Sequence, residues 1–221
     1  MVCIEQTTKN IIIQININYK HFEEDYEVFL GKLDTDDLRK EANIPETDHL
    51  KKNGNYKRGI YYLVDNNLKY SRIKIQKLQW TTIEEGKEVK RYLSVFPSFI
   101  IKYNKVSLDL IEHISKNTRK GEDIFTVIDD LECVLPSEDL LHKACQRVND
   151  TCNNYNYASI LNTRYTEVFE VTINFPELIV DINNYRYGAN YELYRTGEVF
   201  FGKDEQCRVL TRLNRLFKFL R

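Results

Sequence analysis

No two of the five cysteines in this 221-residue chain form a Cys-x-x-Cys pair; Cys3, Cys133, Cys145, Cys152 and Cys207 are odd in number and irregular in spacing. That argues against a disulfide framework and against a zinc ribbon built from the chain's own thiols. Glycine and proline are scarce, at eight and four, and no Gly/Ser- or Pro-rich stretch divides the chain. Any domains must therefore abut through short connections. Long apolar runs are missing too: Ile60 to Val64 (IYYLV) is typical, far short of the ~20 residues that a spanning helix needs. The opening MVCIEQTTKN lacks the charged and apolar regions of a secretory signal, so a cytoplasmic protein without membrane contact is expected. Catalytic pairings are absent as well. His21, His49 and His113 are scattered, and no Cys/His or Ser/His pair has the context of a nucleophilic site.

What is present is a globule's composition, 42% hydrophobic and 12% aromatic, with 29% charged residues. The net charge of −1 conceals an uneven distribution. Residues 51–105 carry thirteen Lys or Arg against four acids, a surplus of +9; residues 1–50 carry −6 and residues 106–221 carry −4. A cationic stretch mixed with Tyr and Asn points to a polyanion such as nucleic acid, because each base set against a phosphate releases a condensed counterion.

Residues 10–18 (NIIIQININ) alternate in their second half and predict a strand. Tyr26, Phe29, Leu30 and Leu33 have helical spacing, with Asp34 or Thr35 as a cap for a second short helix and Pro45 as the end of the region. KRGIYYLV, the turn Asp65-Asn66-Asn67 and Leu68 to Trp80 predict a hairpin. In it Ile73 and Ile75 face one way, and Tyr70, Arg72, Lys74 and Gln76 the other. Glu84-Glu85-Gly86 turns the chain into a third strand that Pro97 stops. Ser107 caps a helix with Leu110, Ile111 and Ile114 buried, Lys116, Arg119 and Lys120 near its end, and Gly121 closing it. A short helix from Glu122 to Leu131 follows. Ser137 caps the next, whose stripe is Leu141, Ala144, Cys145, Val148 and Cys152, with Lys143, Gln146 and Arg147 exposed and Asn153-Asn154 after it. Cys145 and Cys152 read as buried thiols, not as metal ligands with His142. Short helices with tight turns are compatible with a helix-turn-helix. EVFEVTINF and YELYRTGEVFF look like strands, the second folding at Thr196-Gly197. Asp204 caps a terminal basic amphipathic helix carrying Val209, Leu213, Leu216 and Leu220.

The order NGNYKR (53–58), SRIKIQKLQW (71–80), VFPSFIIKYNKVS (95–107) and a helix resembles a family of small transposase-associated proteins from insertion sequences. The likeness covers roughly residues 42–135. In that family a zinc-ribbon module leads into a helix-turn-helix. Where the family has its cysteine pairs this chain has Ala42 to Asp48 and Trp80 to Glu85, with no Cys or His, so no metal is carried over. The resemblance implies a ribbon held by packing, with Trp80, Tyr92 and Phe96 filling the vacated space, and DNA binding in transposition or a repurposed descendant of it.

The expectation is an α+β protein: a three-stranded, degenerate zinc-ribbon-like β-meander with flanking helices and a helix-turn-helix-like segment. Its segments are 1–50, 51–105, 106–170 and 171–221. The expected role is non-catalytic binding of double-stranded DNA, without cofactor. Lys57, Arg58, Arg72, Lys74 and Lys77 would mostly position phosphates, Gln146, Arg147 or Asn149 would read base edges, and Arg119, Lys120 and Lys143 are further expected DNA contacts. One alternative is a protein-docking module or homo-oligomer using the C-terminal helix, with the acidic N-terminal segment lying over the basic one. Another is a Mg²⁺-dependent nuclease using Asp65, Glu88 and Lys90.

Overall fold

A computed structural model describes residues 11–13, 19–65, 67–128, 136–169, 182–201 and 208–217. The chain is α+β, and its described residues form two compact units. The division falls inside a long hairpin, whose base belongs to the first unit and whose tip, Ile60–Tyr70, belongs to the second.

The first unit is built on a four-stranded mixed sheet in place of the expected three-stranded meander. β1 (Ile11–Ile13), β2 (His49–Val64), β3 (Asn67–Glu84) and β4 (Lys87–Pro97) lie in the order β1-β4-β3-β2. The fourth strand is β1, which pairs parallel to β4 with Ile11 beside Val95. The rest of the stretch 10–18 read as a strand lies outside the described residues. β3 and β4 are antiparallel from Gln76–Val95 to Glu84–Lys87. Glu85 and Gly86, at φ 52° and 75°, form the two-residue turn between them, with both central residues left-handed as a tight hairpin turn requires.

One sheet face of this unit is covered by α2 (Thr35–Glu41) and the end of α1 (Phe22–Lys32), where Phe29 and Leu30 pack. Leu33, Leu38, Ile44 and Leu50 pack there against Leu78, Trp80, Leu93 and Val95. Each such aliphatic side chain, once removed from water, contributes about 1.5–3 kcal/mol. Asp34 starts α2 by accepting the N–H groups of Asp36 at 2.7 Å and Asp37 at 3.3 Å. β4 pairs with β3 only from Gln76 onward, and α1 closes the edge left beyond it: the Tyr26 hydroxyl donates to the Lys74 carbonyl at 2.8 Å.

The second unit holds α3 (Leu108–Asn117), α4 (Glu138–Tyr155), α5 (Tyr157–Phe169), α6 (Gly188–Phe201) and α7 (Val209–Phe217), with a turn of 3₁₀ helix at Ile124–Val127 in the stretch read as a helix from Glu122. Ser107 and Ser137 cap α3 and α4, each accepting the N–H three residues on at 3.2 Å. α3 ends at Asn117, and Gly121 (φ 87°) belongs to the turn after it. α4 ends at Asn156, in the left-handed conformation that asparagine tolerates, not at Asn153-Asn154.

YELYRTGEVFF is helix α6, not a folded strand. Its aromatic and β-branched content imitates a strand, but Tyr187, Tyr191 and Tyr194 have helical spacing and are buried. Gly197 is where α6 meets α7, with no room for a side chain. Of EVFEVTINF, the first three residues end α5 and the rest lies outside the described residues, as does Asp204. The α7 backbone is met instead by α3: Glu112 accepts the Leu210 N–H at 2.8 Å, and Asp109 accepts from the Thr211 hydroxyl.

Candidate nucleic-acid interface

The basic strands do not form one cationic face, because β3 changes the side it buries partway along its 18 residues. Ile73 and Ile75 are buried on one side, and Leu78 and Trp80 on the other. Side chains alternate strictly along a strand, so Lys77 shares the Ile73 side while Arg72 and Lys74 take the opposite one. β2 changes sides too. Leu50 belongs to the helix-covered core, yet Arg58, eight residues on, lies 5.6 Å over the ring of Phe96, which alternates with the inward-facing Val95. Eight residues of regular strand would keep the side. The odd residue is Gly54, whose φ of 69° is that of a bulge, and Gln76 donates to its carbonyl at 2.8 Å.

The outcome is an open face opposite α2. From β4 it presents Lys90, Tyr92 and Ser94; from β3, their register partners Thr81, Gln79 and Lys77. β2 adds Tyr56 and Arg58, joined by a side-chain hydrogen bond, and Lys51, which alternates with the buried Leu50. Tyr92 is 51% exposed and Tyr56 37%, whereas Phe96, under Arg58, is 3% exposed. Desolvation draws the Arg58 guanidinium below its ordinary pKa, against the opposing pull of Tyr56. Among the strand residues of this face the one acid is Glu88, paired with Lys90 at 3.0 Å. That pair is half exposed and contributes little, so it yields readily to a stronger anion.

The other expected contacts are differently placed. Lys74 is paired with Glu27 of α1 at 2.8 Å, and Glu23 accepts from Ser71, so the acidic segment does meet the basic one. Lys57 and Arg72 are exposed and have no carboxylate partner among the described residues. In the second unit the Arg119 guanidinium stacks 3.9 Å from the Tyr185 ring centroid, and Lys120 lies beside it in a shallow depression with Asn183 and Asn184. On α4, Lys143 is paired with Asp139 at 2.8 Å and Gln146 with Asp150 at 2.6 Å, which leaves Arg147 on a face of balanced charge.

Tyr56, Tyr92 and Gln79 were not among the expected contacts. Tyr92 in particular, read as a filler of the core, points outward. The signal was in the sequence: once Leu93 and Val95 are inward, Tyr92 and Ser94 face out. Trp80 is buried, and its indole N–H donates to Asp48 at 2.7 Å. Among the described residues, no three His, Cys, Asp or Glu side chains gather as metal ligands would. No protein-family model, no curated protein and no solved structure matches this chain.

Proposed function

We propose that this protein is a non-catalytic DNA-binding protein whose contact surface is the open sheet face of the first unit. The observation that supports this reading is a charge imbalance in one place. Lys51, Arg58, Lys77 and Lys90 stand on that face with one strand carboxylate, Glu88, and one from α1, Glu23, which is held by Ser71 farther along β3, and neither Lys51 nor Lys77 has a carboxylate partner among the described residues. Four cations around hydrogen-bonding side chains suit a phosphate backbone. Helix α4 is left out of the proposal because Asp139 and Asp150 already engage its Lys143 and Gln146. A role in transposition, with a degenerate ribbon and a helix-turn-helix, is supported by the order of the phrases at 53–58, 71–80 and 95–107 alone.

Fluorescence anisotropy with labelled DNA across a salt series tests the reading. Binding should weaken as salt rises, and Lys51→Ala and Lys77→Ala should each reduce the slope of log K against log salt by about 0.7–0.9. Absence of binding at low salt, or slopes unchanged by both substitutions, refutes it. Protein docking is favoured by a different observation, the acidic α1 held against β3 through Glu27 and Lys74. If α1 masks a DNA surface, Glu27→Gln tightens DNA binding; if docking is the role, it does not.

A further inference from the structure

We infer, resting on the DNA-binding reading above, that the occupant of the open sheet face is single-stranded DNA, with an unpaired base stacked on Tyr92. An aromatic ring left half exposed on an open sheet face is a stacking platform, since every base has a π-face. The groups around Tyr92 match the remainder of a nucleotide. Gln79 lies directly across the strand pair from it, and Ser94 and Lys90 lie two residues either side on β4, with Lys77 opposite Ser94. Amide and hydroxyl groups can donate to and accept from a base edge, and the ammonium groups flank the ring where phosphates would run. Tyr56 offers a second exposed ring on the same face, two strands away.

A duplex fits this surface poorly on two counts. Its bases are already stacked on both sides, so a ring on a flat sheet cannot reach a base face without unstacking it. In addition, the major groove, about 12 Å wide, admits a two-stranded ribbon. Three strands at the ~4.8 Å strand spacing, with their side chains, are wider. A single strand has neither restriction, and the moderate charge of the face agrees with an occupant whose binding draws on stacking as well as on phosphate contacts.

Anisotropy on the full-length chain, with a labelled single-stranded DNA oligonucleotide, its duplex and the RNA of the same sequence, tests the inference. Single-stranded DNA should bind more tightly than the duplex. Tyr92→Ala should weaken single-strand binding roughly tenfold or more, Tyr92→Phe should retain it, and Tyr103→Ala, which removes a 75% exposed ring elsewhere, should leave it unchanged. A circular-dichroism melt confirms that each variant is folded. Equal or tighter duplex binding, preference for RNA, or indifference to Tyr92→Ala overturns this inference while lysine-dependent DNA binding still stands. Absence of binding to every nucleic acid at low salt overturns both.

Discussion

Gly197→Ala puts the packing of the helical unit to a quantitative test. At an isolated helix position the substitution stabilises, because glycine costs a helix interior about 1 kcal/mol relative to alanine. Gly197, however, is buried where α6 meets α7, and a Cβ there would stand 2.2 Å from Val209 Cγ1 and 3.2 Å from Leu213 Cδ1. Non-bonded carbons rest at about 3.5–4.0 Å, so the new methyl is at least ~1 Å too close to Val209. That neighbour cannot swing aside. It is β-branched and only 4% exposed, so its χ1 has little room to change. Overpacking of this kind costs about 1–3 kcal/mol, and a collision with a stiff partner belongs near the top of that range. After the propensity gain, a net loss of about 1–2 kcal/mol remains. Urea denaturation measures it. The double variant Gly197→Ala/Val209→Ala removes the colliding atom and should recover about 1 kcal/mol relative to the sum of the single changes. A Gly197→Ala protein as stable as the parent, or more so, would mean that α6 and α7 do not approach as described.

Glu112 makes a pH-dependent contribution of unusual sign. Burial raises its pKa well above 4.5 and Asp109 adds to this, against the Leu210 N–H and Lys116. A carboxyl whose folded pKa exceeds its unfolded value stabilises fully below the unfolded pKa and loses that contribution as pH rises through the folded one. The stability difference between the parent and Glu112→Gln should therefore fall as pH increases from about 4.5; a difference that grows instead refutes the assignment. Burial also raises both thiols of α4, Cys152 to about 12 and Cys145 further. Alkylation mapped by mass spectrometry at neutral pH should spare both until urea unfolds the chain, and prompt native labelling of either contradicts their burial.

What could be read from the residues was chiefly what is local. The caps at Asp34, Ser107 and Ser137 follow from short side chains that satisfy the first N–H groups of a helix, and each is found in place. The turn at Glu84-Glu85-Gly86 and the stop at Pro97 likewise need only near neighbours. Helix α6 is misread because its aromatic and β-branched content favours a strand, while the helical spacing of Tyr187, Tyr191 and Tyr194 shows as a signal only once the neighbours that bury them are known. The pairing of β1 with β4 was hidden for the same reason, since it joins residues more than eighty apart in the chain. The candidate site was half legible: Arg58 and Lys77 were expected on it, but Tyr56, Tyr92 and Gln79 required knowing which side of each strand the helices cover.

That dependence on side explains why a charge run is a poor measure of a charged surface. Residues 51–105 hold a surplus of +9, which, met by a single strand on one face, would give a salt slope near −6, at about −0.7 per phosphate neutralised. The fold divides the surplus. Strand alternation sends Lys57 and Arg58 to opposite sides; α1 engages Lys74; Glu84 engages Arg91, whose guanidinium also covers Trp80. Four cations remain on the open face, and four phosphates give a slope no steeper than about −3. A measured slope near −6 would show that cations beyond this face take part in binding. One near −3, lost in steps with Lys51 and Lys77, would leave the face described as the whole electrostatic footprint.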